Sequence, residues 1–294
     1  MKKIVLVDGS SYVYRAFYAL PPLTSPKGEP TGAIYGFIRM IAKLMNELKP
    51  EYIAVAFDHP GKTFRHKEFK EYKATRKETP DELKSQIPKI KKILKLWGIK
   101  VLEIPGYEAD DLIATLAKKA EEKGFEVIIV TPDKDMLQLV NQNIKVLNPI
   151  NEYLFDREKV KEKYGIYPEQ FVDYLSLIGD TVDNIIGVHG VGPKTAQKLL
   201  EKFQNIEGIY ENLDQLKEKL KNAFEEAKER VQLNKKLIKL KTDAPIDLDI
   251  EDLKKGKTDI VKLKQIFDEL GFKSLKLESE QKQKQVQTRQ GRLF

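Results

Sequence analysis

Short β-branched apolar runs alternate with helix-length amphipathic segments over the first half of the chain. KKIVLVD (2–8), YIAVAFD (52–58), GIKVLEI (98–104), FEVIIVT (125–131) and NIKVL (143–147) predict strands. GAIYGFIRMIAKLMNEL (32–48) and PDELKSQIPKIKKILKLW (80–97) predict crossover helices. So does PGYEADDLIATLAKKA (105–120), where Leu112, Ile113, Leu116, Ala117 and Ala120 recur at helical spacing. Such alternation implies an α/β fold with a mostly parallel central sheet flanked by helices, over residues 1–165. From Tyr167 onward the strand signals stop. PEQFVDYLSLIGD, PKTAQKLLEKF and AFEEAKERVQLNKKLIKL predict helices, IDLDI (246–250) an isolated short strand, and Lys257–Phe272 a further helix. Residues 166–277 are therefore expected to be a helical region. The Gln/Lys-rich stretch 278–294 predicts a disordered tail, polar until Leu293 and Phe294.

Composition narrows the chemistry. The 294 residues are 41% hydrophobic and 33% charged, enough to bury a core. The net charge of +7 permits a polyanionic partner without requiring one. Cysteine is absent, which excludes disulfides, thiolate metal sites and a thiol nucleophile. The histidines, His59, His66 and His189, lie far apart in sequence and argue against a His-rich metal site. The apolar run at the start is cut short by Asp8, and no stretch could span a membrane, so a cytoplasmic location is expected.

The acids stand at the strand ends. In open α/β sheets ligands bind beyond the carboxyl ends of the strands. The first run ends in Asp8 and the second in Asp58. The third leads into Glu108, Asp110 and Asp111, and the fourth through TPDKD into Asp133 and Asp135. Any one of these is most simply a turn or cap residue, and acids near a helix N-terminus suit its dipole. All of them together place many negative charges at one sheet edge, which raises pKa values unless cations compensate. Mg²⁺ takes oxygen ligands and keeps several waters. The number of acids suits two ions, an arrangement that hydrolyses phosphodiesters. A receiver-type phospho-acceptor domain also carries acids at strand ends. It needs a single acceptor Asp and a lysine at a later strand exit, which the sequence does not offer.

Two further features bear on the ligand. In LIGDTVDNIIGVHGVGPKTAQKLL (177–200), Gly187, Gly190 and Gly192 with Lys194 and Thr195 nearly match a P-loop, but Pro193 displaces the lysine and no strand precedes it. Two helices joined by a glycine turn fit better, with backbone N–H groups able to meet phosphate oxygens. Asp180 and Asp183 lie on the approach to this turn. KTFRHKEFKEYKATRK (62–77) is cationic with Phe64, Phe69 and Tyr72 interleaved, as suits contact with a single strand. Lys73 and Arg76, three apart, could both reach a scissile phosphate.

Together LVDGSSYVYRAFYAL, FRHKEFKEYKATR, PGYEADDLIATLA, TPDKDMLQL and GDTVDNIIGVHGVGPKTAQKLL resemble the 5′-nuclease (flap endonuclease) superfamily. The resemblance is strongest to the 5′→3′ exonuclease domain of bacterial DNA polymerase I, and it runs to about Phe272. It implies a PIN-like 5′-nuclease fold with a helical arch over 62–97 and a glycine-rich helix–turn–helix over 187–200. By motif, the family's metal-binding acids fall on Asp8, Asp58, Glu108, Asp110, Asp111, Asp133, Asp135, Asp180 and Asp183. The implied cofactor is a pair of Mg²⁺ ions, with Mn²⁺ able to substitute, and a K⁺ ion at the helix–turn–helix. Lys73 and Arg76 match the catalytic cations of the arch, Tyr72 an arch aromatic that stacks on a base, and Arg65 a further contact to DNA. Gly190, Gly192, Lys194 and Thr195 match the duplex-gripping turn.

The implied activity is structure-specific 5′→3′ exonuclease and 5′-flap endonuclease cleavage by a two-metal mechanism. Its partners would be DNA with a 5′ flap, nick or gap and RNA–DNA primer junctions, in primer removal and repair. No polymerase sequence follows Phe294, which leaves a truncated chain or a free-standing nuclease; the tail favours the second, expected to work beside a polymerase that lacks its own 5′ nuclease. QGRLF (290–294) resembles the peptide by which bacterial replication proteins dock on the sliding clamp, through Gln290, Leu293 and Phe294. The alternative is a catalytically silent adaptor that binds branched DNA and recruits the clamp. The full acidic set argues against it, because unused carboxylates repel DNA.

Overall fold

The computed structural model describes residues 2–272. The tail expected over 278–294, with Gln290, Leu293 and Phe294, lies outside the described residues. Along the chain the strands are β1 (Lys3–Asp8), β2 (Tyr52–Ala56), β3 (Lys100–Leu102), β4 (Glu126–Val130), β5 (Ile144–Asn148), β6 (Tyr153–Phe155), β7 (Gly179–Asp180) and β8 (Ile185–Ile186). The α-helices are α1 (Gly9–Ala19), α2 (Gly32–Leu48), α3 (Phe64–Glu68), α4 (Asp81–Leu96), α5 (Ala109–Glu122), α6 (Arg157–Tyr164), α7 (Phe171–Ile178), α8 (Pro193–Phe203), α9 (Ile206–Glu211), α10 (Glu218–Ile238) and α11 (Ile260–Glu269). The helix α1 follows β1 without a break, over a segment for which the sequence predicts no element. The short strand expected at 246–250 does not form. Ile250–Leu253 is instead a 3-10 helix capped by Asp249. No helix among the described residues is long and apolar enough to cross a membrane.

The chain divides into two compact units. The larger comprises residues 1–11, 50–78 and 102–254. It holds β1, β2, β4 and β5 in parallel, with β6 antiparallel to β5. The register sets Asp8 of β1 opposite Ala56 of β2, and Val7 opposite Val130 of β4, so the carboxyl ends of these strands are level. Beside them, Phe57 N–H donates to the carbonyl of Leu102, the last residue of β3, at 2.8 Å. Ile4 to Val7 are fully buried, as expected of a central parallel strand. The apolar stripe of α5, Leu112, Ile113, Leu116, Ala117 and Ala120, is buried in the core that includes these strands and continues through α7, α8 and α10. Residues 166–254 thus share the compact unit of the sheet.

Among the described residues, the smaller unit comprises 12–49, 79–101 and 255–272. Within it α2 packs on α4, and the buried Gln86 side chain accepts from Ile34 N–H at 3.1 Å. Asp259 N–H, at the start of α11, donates to Leu96 O at 2.8 Å. The segment expected to form an arch, 62–97, is shared: 62–78 belong to the larger unit and 79–97 to the smaller.

Candidate active site

Every acid singled out in the sequence belongs to the larger unit. Asp8, the last residue of β1, is 3% exposed and its orientation is fixed from three sides. It accepts from Ser11 N–H at 2.9 Å, from Ser11 Oγ, and from Thr131 Oγ1 at 2.8 Å. Burial and, beyond that, the charge of Asp58 push its carboxyl up to about 6. Asp58 is exposed and reaches the first turn of α5, accepting from Ala109 N–H at 2.8 Å. Its own N–H donates to Ser10 Oγ at 2.9 Å. Gly9 permits this junction. A Cβ there would meet the Phe57 ring and Val55 at 2.7 Å and the Ala56 carbonyl at 2.8 Å.

Asp110 is raised well above the ordinary carboxylate range by burial and by the charges of Asp133, Asp8 and Asp58. Asp133 caps the 3-10 helix Lys134–Leu139 by accepting from Asp135 N–H at 2.9 Å. Asp135 is pushed up to about 7 by burial and by Asp133. Its Oδ1 is buried without a hydrogen-bond partner, with Lys134 Nζ at 3.4 Å. Asp180 behaves differently. Burial works to raise it, but the hydrogen bond from Lys134 and the N–H groups of Val182 and Asp183 outweigh burial and hold it below the usual range.

A second set of acids is held by cations of the arm. Glu108 meets Lys73 Nζ at 2.9 Å and the Tyr72 hydroxyl at 3.2 Å. Asp183 accepts from Tyr72 Oη at 3.0 Å and from Arg76 at 2.6 Å. The backbone is joined at the same place, Lys73 N–H donating to Asp183 O at 3.1 Å and Asn184 Nδ2 to Glu71 O at 2.8 Å. Lys73 adopts φ +56°, in the left-handed region. That conformation costs a non-glycine residue about 1 kcal/mol, and it holds the ammonium against Glu108. Burial works to lower the Lys73 pKa, but Glu108 and Asp183 hold it above its ordinary value, so the side chain stays charged.

Three residues sit where the sequence reading did not put them. Asp111 is fully buried and both its oxygens are engaged. Arg65 grips it at 2.7 and 2.8 Å, Lys241 N–H donates at 2.9 Å and Glu108 N–H at 3.2 Å. It is therefore a counter-ion, not a free metal ligand. Arg65, expected on the DNA surface, is 1% exposed, and it also donates to the carbonyls of Leu237 and Lys239. Tyr72, expected to stack on a base, is 3% exposed with its hydroxyl between two carboxylates. Sequence reasoning also passed over Ser11, Thr131 and Lys134. Their signal was position alone: each lies within three residues of a singled-out Asp, in DGSS and TPDKD.

The donor set fits a hard divalent cation. It consists of oxygens, several carboxylates are raised by burial and by one another, and one buried carboxylate oxygen lacks a hydrogen bond. As the side chains stand, no three His, Asp or Glu residues among those described are grouped to hold an ion by themselves. A Mg²⁺ ion that keeps several waters needs only one or two direct carboxylates. Asp8, Asp58, Asp110, Asp133 and Asp135 are the residues that would hold it.

The glycine turn follows β8. Gly187 lies against the end of α7, where a Cβ would meet Leu177 O and Ile178 C at 2.4 Å. Gly190 takes φ +75°, and Pro193 opens α8. Gly190, Gly192 and Lys194 are exposed and Thr195 is half-buried.

Comparison with known proteins agrees with this arrangement. Residues 3–165 match the family model of the 5'-3' exonuclease N-terminal resolvase-like domain, and residues 166–260 match that of the 5'-3' exonuclease C-terminal SAM fold. The chain is 52% identical over 276 residues to a 5'-3' exonuclease of Aquifex aeolicus, covering 94% of each protein. It is 44% identical over 279 residues to DNA polymerase I of Bacillus subtilis, spanning 93% of this chain and 32% of that one. The fold superposes on a T5 5'-exonuclease with bound zinc at a TM-score of 0.68 and 23% identity, covering 92% of this chain and 99% of the other. The catalytic core of Rad2 in complex with DNA substrate superposes at 0.60 with 20% identity, covering 92% and 87%. With both family models and a full-length relative in agreement, the chain belongs to the 5'-3' exonuclease family.

Proposed function

We propose that the chain is a structure-specific 5′ nuclease that hydrolyses phosphodiester bonds near a 5′ flap, nick or gap with two Mg²⁺ ions, Mn²⁺ being able to substitute. One observation carries the reading. Asp8, Asp110 and Asp135 come from three different strand exits, and the carboxyl of each is raised by burial and neighbouring acids, which outweigh the lowering by Lys73 at Asp110 and by Lys134 at Asp135. Such a cluster favours the binding of divalent charge, at the release of protons. The bound ions would supply Lewis acidity at the phosphate and a more acidic water. Ser11 and Thr131 keep Asp8 aimed, and Lys134 keeps Asp180 ionised. Lys73 and Arg76 bring positive charge to the edge of the acidic cluster, where it would offset charge developing on the phosphate.

The exposed turn at Gly190–Lys194 is a candidate grip on the duplex backbone, with K⁺ as its proposed companion ion. A division of the chain near residue 165 is supported by the two family models, which meet there. Docking on the sliding clamp through Gln290, Leu293 and Phe294 is supported by the sequence of the tail alone. A role beside a polymerase, on primer junctions, is supported by the relatives named DNA polymerase I, about a third of whose length this chain matches.

The test is cleavage of a labelled 5′-flap duplex with Mg²⁺, comparing wild type with Asp110→Asn and a matched 3′-flap duplex. Cutting near the 5′-flap junction alone, abolished by the substitution and by EDTA, is expected. Tight flap binding with no cutting in Mg²⁺ or Mn²⁺ would leave a silent branched-DNA adaptor in its place.

A further inference from the structure

Phe64 and Arg65 are neighbours in α3 with different surroundings. Arg65 is buried against Asp111, whereas Phe64 lines an open cavity of about 540 Å³ within the larger unit. Around Phe64 stand Lys236, Lys239 and Lys241, with Glu68 and Asp243. The three lysines are exposed, and none makes an ion pair with a described residue. Lys241 Nζ lies 5.4 Å from the centre of the Phe64 ring.

The ordinary reason for lysines at the end of a helix is the negative pole of the helix dipole. Here that role is already filled. The carbonyls of Leu237 and Lys239, at the end of α10, accept from Arg65, and that of Ile238 accepts from Gln138. Three ammonium groups, none in an ion pair with a described residue, beside an aromatic wall are instead the composition of a surface for a single strand of nucleic acid. A duplex presents a convex cylinder and does not enter such a concavity; a flexible strand can. The two acids reduce the excess to a single positive charge, which suits one or two phosphates.

We infer that this cavity seats the phosphate backbone of a single strand, beside the metal-binding acids and separate from them. The inference rests on the nuclease reading for its choice of ligand. Phe64 N–H donates to Gly106 O at 3.2 Å, just before α5, so the cavity and the acidic site share the Gly106–Asp111 segment through adjacent residues of α3.

The test measures binding of a labelled single-stranded oligonucleotide by fluorescence anisotropy in EDTA, across a salt series. Two variants are compared with wild type: Lys236→Ala/Lys239→Ala/Lys241→Ala, and Glu68→Gln/Asp243→Asn. Each lost phosphate contact reduces the log–log salt slope of single-strand binding by about 0.7, so with one or two phosphates seated the lysine variant should show a slope shallower by about 0.7–1.4 and roughly tenfold weaker binding or more. The acid variant should bind more tightly than wild type. Both should cut a nicked duplex without a flap at wild-type rate, which reports an intact fold. An unchanged slope in the lysine variant, or weakening in both variants alike, overturns the inference. Altered slopes in a protein that cuts no substrate would uphold the cavity and sink the nuclease reading.

Discussion

The Arg65 guanidinium meets Asp111 through two hydrogen bonds, of 2.7 and 2.8 Å, with both side chains buried. This bidentate pair ties α3 to the first turn of α5, and through Leu237 O and Lys239 O it also holds the end of α10. It separates two adjacent aspartates into different tasks. Successive residues of a helix point about 100° apart, so Asp110 is directed at the other acids while Asp111 is directed at Arg65.

Opposite stability effects follow for these neighbours. Asp111→Asn leaves a buried guanidinium half-paired and should cost about 3–5 kcal/mol. Arg65→Lys should cost a similar amount, because an ammonium cannot reproduce the planar fork. Asp110→Asn removes a charge that its neighbours repel and should leave the melting temperature unchanged or higher while abolishing cleavage. Thermal melts of the metal-free variants beside their cleavage rates make the comparison. A stable, folded Asp111→Asn would show that the pair is not structural.

The raised carboxyls give the metal-free protein a pH signature. Asp135 is pushed to about 7, above the value it has in the unfolded chain, near 3.9. A group raised by folding binds its proton more tightly in the native state. Its contribution to stability is therefore full below about pH 4 and is lost as pH rises towards 7. Asp8, at about 6, acts in the same sense over a narrower window. Asp135→Asn has no such proton to lose, so its melting temperature minus that of wild type should grow from pH 5 to pH 8. Divalent cation should stabilise wild type more at pH 8 than at pH 5. A gap independent of pH would place the titration elsewhere.

The strand ends were legible in the sequence because β-branched runs closing in Asp have few other solutions in an α/β chain. Partners were not. Arg65 and Asp111 are 46 positions apart, and nothing in EADD distinguishes its two aspartates. The arm shows why composition misleads: alternating cations and aromatics read as one surface, yet Arg65 and Tyr72 turned inward and Phe64 lines an open cavity. Helix α1 received no assignment from the sequence; it opens with Gly-Ser-Ser, residues weak in helices because Gly is flexible and Ser hydroxyls bind local backbone. Here Ser11 binds Asp8 instead. IDLDI alternates like a strand, but Asp249 caps a 3-10 turn and takes the segment out of extended geometry.

Lys73 combines a catalytic expectation with a strained backbone, and the two can be separated. Lys73→Ala and Lys73→Gly both lose the ammonium and its 2.9 Å contact to Glu108. Glycine adopts the observed φ of +56° without penalty, so Lys73→Gly should be about 1 kcal/mol more stable than Lys73→Ala in this turn. Both should reduce kcat by roughly 10²-fold or more with little change in duplex affinity. Equal stability of the two variants would show that the left-handed conformation is not retained in solution.

The glycine turn allows a structural role to be distinguished from a contact with DNA. At Gly187 a Cβ would strike the backbone of α7 at 2.4 Å, so Gly187→Ala should destabilise by about 3 kcal/mol or more whatever it does to binding. At Gly192 nothing lies within 4 Å of an added Cβ, and φ is −96°, which any residue adopts. Gly192→Ala should therefore melt within about 0.5 kcal/mol of wild type. If the turn grips phosphates through closely approached backbone N–H groups, the added methyl should still weaken duplex binding, because it stands between the backbone and the phosphate oxygens. Affinity for a blunt duplex, measured in Ca²⁺ across a salt series, provides the readout. Lowered affinity at unchanged stability places the duplex backbone on this turn, and unchanged affinity removes Gly190–Thr195 from the duplex-binding surface.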